Sequence, residues 1–267
     1  MDKLIQDLNK KWGVNSVFRF TEDYVQKVET ITSGSEELDK ALGIGGYPLG
    51  RVIEIYGKEG SGKTTLALYA IKGFQEKGYK TAYIDAENSL NLEYARKLGV
   101  KVEDMLFTQP ETGEDALGIL EDFIKSKEVN LVVVDSVAAL TPKAIIEGEM
   151  GDQTIALLAR LMSKALGKLV GFMNRNKVTV IFINQVRMNV GGFVPAYETT
   201  PGGKALRFYS TIRLQVTNSN VAFQKDKEKA GHKLKIVVKK NKLAPPFREA
   251  EIKLEWGKGF ISEKDTD

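Results

Sequence analysis

The sequence predicts an α/β protein: a mostly parallel central sheet covered by helices on both faces, with antiparallel strands toward its C-terminal end. Three observations predict it. From residue 50 onward, short β-branched runs alternate with segments of helical length. Two of those runs, residues 131–134 and 178–183, are apolar at every position, as strands buried on both faces of a parallel sheet must be. Past about residue 210 the helical signals fade, and the runs 211–216, 233–239 and 251–255 read as strands joined by turns.

The elements follow in order. Leu4, Ile5, Leu8 and Trp12 form one apolar stripe, so residues 2–12 predict a short amphipathic helix. A lone helix of that length is marginal in water and has to dock on its own domain or a neighbour. Gly13 ends it, and Val17, Phe18, Arg19 and Phe20 suggest a brief extended segment. Strands are expected at 52–56, 81–85, 131–134 and 178–183. Helices are expected at 62–77, 89–98, 113–126 and 153–175.

Composition narrows the function. The chain has 267 residues, 42% of them apolar, which supports one main domain with a real core. With 39 basic and 35 acidic residues the net charge is only +4, so charge alone does not announce a nucleic-acid partner. No cysteine is present, which excludes disulfides, thiolate metal ligands and thiol catalysis. A single histidine, His232, leaves little material for a histidine metal cluster or a Ser-His-Asp triad. No apolar run approaches the ~18 residues of a membrane span, and the charged start MDKLIQDLNKKWG lacks a signal-peptide core, so the expectation is a soluble cytoplasmic protein with no membrane partner.

Gly57, Lys58, Glu59, Gly60, Ser61, Gly62, Lys63, Thr64 and Thr65 fit G-x-x-x-x-G-K-[ST] between an expected strand and an expected helix. Glycines there let backbone N–H groups turn toward phosphate, and the helix N-terminus adds positive potential. Lys63 is placed to reach the β- and γ-phosphates, and the Thr64 hydroxyl to ligate Mg²⁺, so ATP and Mg²⁺ are the expected ligands. Asp135 ends a buried strand, where a carboxylate is costly without a cation. It serves the Mg²⁺ shell, through water, or else Asp135 or Ser136 caps a helix. Asp85 and Glu87 end the preceding strand on one face and compete as the base for an attacking water; alternation does not choose between them. Asn184 and Gln185 reach the same edge, either as a γ-phosphate contact or as an ordinary strand cap.

With these residues in place, the segments 52–65, YIDAE at 83–87, YARKLG at 94–99, VDSVAALTPK at 134–143, FINQVRM at 182–188 and ETTPGG at 198–203 resemble the bacterial RecA recombinases, in order and with similar spacing over roughly residues 13–260. The combination of DSVAALTPK, FINQ and ETTPGG is far more specific than the phosphate loop. The resemblance implies a filament on single-stranded DNA with ATP. The filament pairs that strand with a homologous duplex, exchanges strands, and hydrolyses ATP in a DNA-stimulated way. It assigns Glu87 as catalytic base, Asp135 to the Mg²⁺ site, Gln185 as γ-phosphate sensor and Tyr94 to the adenine.

Residues 148–155 resemble the first DNA loop of that family, with Met150 and Ile155, and residues 186–203 the second. The second loop has its own logic. It runs about 18 residues with glycines and prolines between a buried strand and a helix, and loops that long are usually functional. It starts directly after Gln185 and carries Arg187, Met188, Val190 and Phe193, a mixture of cation and apolar groups suited to single strands. Gly202 and Gly203 precede an expected helix start and can offer N–H groups to phosphate. Without the resemblance, the segment also reads as a surface loop. Arg160 and Ser163 match DNA-contacting positions; a further basic position of the family is Gly167 here, for which Lys164 or Lys168 could substitute.

The resemblance sends Lys240 and Lys242 across the filament interface to the neighbour's ATP, where charge alone reads a solvated basic strand. It makes Phe208 an interface residue that transmits the ATP signal, and places Trp256, in place of a tyrosine, near the neighbouring nucleotide. Asn91 stands where many relatives have an acid facing adenine. Residues 1–29 are expected to form an N-terminal oligomerisation helix and linker strand, and 30–267 the ATPase core. The separate C-terminal domain of the family, with its acidic tail, is not expected in a chain that stops at Asp267, which would alter duplex capture. The alternatives are a regulatory RecA paralogue and a RecA-fold helicase. The first is opposed by the presence of Lys63, Glu87 and Asp135; the second would lack ETTPGG.

Overall fold

The computed structural model describes residues 1–13, 16–19, 28–148, 156–189, 197–225 and 228–261. The elements are α1 (Asp2–Trp12), β1 (Thr30–Ile31), α2 (Glu36–Leu42), β2 (Tyr47–Pro48), β3 (Val52–Gly57), α3 (Lys63–Glu76), β4 (Thr81–Asp85), α4 (Leu92–Lys97), β5 (Met105–Thr108), α5 (Gly113–Ser126) and β6 (Leu131–Asp135). They continue with α6 (Lys143–Ile146), α7 (Leu157–Asn176), β7 (Thr179–Gln185), β8 (Arg187–Asn189), β9 (Tyr197–Thr199), α8 (Ala205–Tyr209), β10 (Ile212–Lys225), β11 (Glu228–Asn241), β12 (Glu249–Glu255) and β13 (Gly259–Ile261).

One sheet organises them, in the order β13-β12-β11-β10-β3-β7-β6-β4-β5. Strands β10, β3, β7, β6, β4 and β5 run parallel, and β11, β12 and β13 add antiparallel pairs. The expected mostly parallel sheet with antiparallel C-terminal strands is therefore present. Because strand side chains alternate between faces, one strand feeds two cores. Ile53, Ile55, Ile181 and Ile183 pack with α3, while Val52, Val180 and Phe182 pack with α5, α7 and α8.

The helices follow their sequence signals. Thr112 caps α5 by accepting from the Asp115 N–H, and Ala116, Leu117, Leu120 and Ile124 give it one buried face. Helix α4 is shorter than expected because Asn91 caps it, accepting from the Tyr94 N–H at 2.9 Å. The described part of the expected 153–175 helix is α7.

Several elements were not foreseen. The two-residue strands β1 and β2 and the edge strand β5 are too short for alternation to register. Strands β10 and β11, 14 residues each, form a hairpin far longer than the segments expected at 211–216 and 233–239. At the N-terminus, α1 buries none of its residues, and Leu4 and Trp12 remain 56% and 66% exposed. Residues 17–19 form no strand in this chain. Val17 instead folds back on the helix, its N–H and C=O both bonded to the Asn9 amide at 2.8 and 2.9 Å. Phe20 lies outside the described residues.

Candidate functional site

The site occupies the carboxyl edge of β3, β4, β6 and β7, where an open α/β sheet leaves its crevice. Between β3 and α3 the chain turns through Gly57–Gly62, with Gly60 and Gly62 at φ 67° and 88°. Gly57 has no room for a side chain: a Cβ would stand 2.1 Å from the Val216 carbonyl oxygen. Lys63 opens α3 with its side chain folded over the loop, donating to the Lys58 carbonyl at 2.7 Å. Burial lowers the Lys63 pKa, while Asp135, Glu87 and Glu59 act to raise it. The Ser61 hydroxyl is buried among described residues without a hydrogen-bond partner.

Asp135 lies on the α3 face at the end of β6. Its Oδ2 accepts from the Thr64 hydroxyl at 2.9 Å and from the Tyr83 hydroxyl at 2.6 Å. Burial raises its pKa against the lowering effect of those two hydrogen bonds. Tyr83, which the sequence reading passed over, is held well above the ordinary tyrosine pKa, first by burial and then by Asp135. Thr64 and Asp135 thus present two oxygens at one place, a donor set that fits Mg²⁺, which takes few protein ligands and keeps phosphate oxygens and water. No cluster of three or more acidic or histidine ligands exists among the described residues.

Asp85 and Glu87 differ in their partners. Asp85 is 1% exposed and accepts from the Ser89 and Leu90 N–H groups, both at 3.2 Å, and from the Gln109 amide at 3.1 Å. Its lone pairs are committed to holding the turn after β4. Glu87 is exposed, and its Oε1 accepts from the Gln185 amide at 3.0 Å and from the Ser136 hydroxyl. The backbone of Glu87 is fixed in turn by the Asp135 carbonyl at 3.2 Å. The contact of Ser136 with Glu87 and the cis peptide that joins Ser136 to Asp135 were not anticipated.

Asn184 and Gln185 diverge as alternation requires. Asn184 is fully buried and donates to Glu54 and to the Pro201 carbonyl, both at 3.1 Å. It is a structural tie between β3 and the exit of the second loop. Glu54 also accepts from Arg213, an ion pair buried on both sides, and the Arg213 guanidinium lies 4.5 Å from the Tyr56 ring centroid. Neither partner carries a motif that would have revealed the pair.

A cleft of about 360 Å³ extends from the phosphate loop, lined by Gly60–Thr65, Tyr94, His232, Leu254, Trp256 and Gly257. The Tyr94 hydroxyl pairs with Thr65 at 3.1 Å. The pairing of β11 with β12 brings Trp256 to this cleft of its own chain, where it stays 53% exposed. Asn91 is likewise accounted for as the α4 cap.

The other expected residues lie on two further surfaces. Arg160 and Ser163 are exposed on α7. Gly203 sits against that helix, where a Cβ would come within 2.7 Å of the Ala159 Cβ, and Gly202 against Val137 and Met162. Lys168 is exposed and pairs with Glu121 at 2.7 Å. Arg187 is exposed on β8, and Met188 lies on the same strand. Met150, Ile155, Val190 and Phe193 fall outside the described residues. Lys240 donates to the Arg207 and Phe208 carbonyls at 2.7 and 2.9 Å, Lys242 lies 5.9 Å from the Phe208 ring centroid, and Phe208 is 71% exposed. These three lie away from their own chain's phosphate loop. No described helix is long and apolar enough to cross a membrane.

Comparison with known proteins agrees with this geometry. The family described as the RecA N-terminal domain matches residues 1–261. The chain is 51% identical over 266 residues to Protein RecA of Oceanobacillus iheyensis, spanning 100% of this chain and 76% of that one. It is 51% identical over 263 residues to Protein RecA of Bacillus subtilis and 50% to that of Halalkalibacterium halodurans, in each case over 98% of this chain and 75% of the relative. The order of the phosphate loop, the carboxylate at Glu87 and the amide at Gln185 thus sits in a chain matched along its whole length: the chain belongs to the RecA family.

Proposed function

We propose that this RecA-family recombinase, a DNA-dependent ATPase of homologous recombination, runs its reaction from the residues assembled above. The Gly57–Thr65 loop cradles the triphosphate of ATP, with Lys63 on the β- and γ-phosphates. Thr64 and Asp135 would hold Mg²⁺, the latter through water, and the ion would supply positive charge against the phosphate oxygens. Glu87 orients and deprotonates the attacking water, a role that Asp85 cannot share while three donors occupy it.

The observation that carries the reading is the hydrogen bond from Gln185 to Glu87 at 3.0 Å. The base is gripped by the residue that immediately precedes the second loop, at the end of β7. A change at the γ-phosphate alters what Gln185 can donate to, and β8 begins two residues later. The loop's return is tied to the same strand through Asn184 and the Pro201 carbonyl. Phosphate state and loop position are therefore coupled through one strand end.

Residues 148–155 and 186–203, with Arg160 and Ser163, take single-stranded DNA, and the filament so formed pairs it with a homologous duplex. Lys240, Lys242 and Phe208 act across the interface between copies, Lys240 and Lys242 on the neighbour's phosphate. Residues 1–29 form the oligomerisation arm and 30–267 the ATPase core, acting in the cytoplasm. ATP hydrolysis measured with and without single-stranded DNA, alongside Lys63→Ala and Lys240→Ala, tests this. Strong stimulation lost in both variants supports it; hydrolysis indifferent to DNA refutes it.

A further inference from the structure

The contact between Trp256 and His232 fixes the chemistry of the histidine. Indole Nε1–H only donates, so the 3.0 Å contact makes His232 Nδ1 the acceptor and leaves the proton on Nε2. An imidazolium carries N–H at both nitrogens and cannot accept this bond. His232 is 9% exposed, and its Nε2 has no partner among the described residues. Trp256 is 53% exposed and lines the cleft with Tyr94.

We propose that His232, kept neutral with its proton on Nε2, is a positioning residue that fixes the Trp256 indole as a wall for the planar base of a nucleotide in this cleft. This rests on the reading of the cleft as a nucleoside triphosphate site. Tyr94, pinned by Thr65, supplies the other aromatic surface. A ring on a half-exposed turn keeps one orientation only if its polar edge is held, and base–aromatic stacking depends on that orientation.

The charged neighbours leave the imidazole to its surroundings. On β11, Lys233 pairs with Glu251 at 3.9 Å. On β12, His232 faces Leu254, and Glu255 pairs with Lys258. On β10 the opposite position is Ala222. The phosphate loop and α3 contribute Lys63, and α4 contributes Tyr94. Burial is the resolved cause that lowers the His232 pKa below 6.5.

The test uses the full chain with Trp12→Phe, which leaves Trp256 the one indole of two. Without nucleotide, Trp256 emission is expected to change with pH about a midpoint below 6.5, and His232→Asn, which keeps an acceptor but does not titrate, to abolish the change. At pH 7.5, calorimetry is expected to show ATP binding weakened about fivefold by His232→Leu, the worth of one neutral hydrogen bond, and less than about twofold by His232→Asn. Inorganic tripolyphosphate should bind all three proteins alike. At pH 5.5 the parent protein should approach His232→Leu while His232→Asn does not. Emission indifferent to pH overturns the proposal, as does an equal loss of ATP and tripolyphosphate binding in His232→Leu. Failure of tripolyphosphate to bind the parent protein overturns the phosphate reading instead, and the emission titration still judges the His232 contact.

Discussion

The phosphate half of the cleft and the face that carries Phe208, Lys240 and Lys242 are built in opposite ways. In the first, the buried charged groups have partners within the chain: Lys63 is 8% exposed and bonded to the loop, Asp135 is 3% exposed and bonded twice, and Asp85 accepts three hydrogen bonds. In the second, Phe208 stands in solvent and Lys240 rests on two backbone carbonyls, a contact that holds the side chain without neutralising it. Lys63, Asp135 and Asp85 are buried and preorganised, whereas the groups of the second face are accessible and loosely latched, as the proposed partner from another copy requires.

The predictions sharpen or break that contrast. The largest effect is expected from the accessible face. Lys240→Ala should lower DNA-stimulated hydrolysis by about 10³-fold, the scale of a cation supplied in trans. ATP binding by the isolated chain, followed by calorimetry, should stay within a factor of two. Loss of binding in that variant would show that the two regions are not separate. Next comes the joint between them. Glu54→Ala leaves Arg213 buried and unpaired between β3 and β10, and should cost about 3–5 kcal/mol in denaturant unfolding. A change under about 1 kcal/mol would mean the pair is not what ties the regions together.

A smaller, more selective change is expected at the coupling residue. Gln185→Ala should leave Mg-ATP affinity intact yet reduce the DNA stimulation of hydrolysis about tenfold, since the base loses the contact that reports to the second loop. Equal loss with and without DNA would make Gln185 a simple support for Glu87. The smallest effect concerns pH. Burial first, then Lys242 and Arg213, push the Lys240 pKa down to about 8 from 10.5. Between those values the unfolded chain binds more protons, so the stability of the isolated chain rises with pH across that window. Lys240→Met should flatten this component of the melting temperature. A slope unchanged in the variant would place its origin elsewhere.

Much of this was legible in the sequence, for identifiable reasons. The strands at residues 131–134 and 178–183 announced a covered parallel sheet because no polar residue interrupts them, and G-x-x-x-x-G-K-T fixed the place of the phosphate loop within it. What stayed hidden were relations between distant strands. The difference between Asp85 and Glu87 lies in which carboxylate receives the Ser89, Leu90 and Gln109 donors. The Glu54–Arg213 pair spans 159 residues. The place of Trp256 beside the phosphate loop of its own chain follows from the pairing of β11 with β12, which its position along the chain does not show. The hairpin of β10 and β11 was underestimated because its outer half is polar and Lys-rich, without the apolar alternation that marks a buried strand.

The central claim is that two copies complete one active site, and complementation tests it most directly. Glu87→Gln lacks the base but keeps Lys240; Lys240→Ala keeps the base but lacks the cation. Each alone should be nearly inactive on single-stranded DNA with ATP. Mixed in equal amounts, about one interface in four joins an intact Glu87 to an intact Lys240 if copies assemble at random, so hydrolysis should recover toward a quarter of the parent rate. Activity in the mixture no greater than the average of the two variants would contradict the account and place the whole reaction within a single chain.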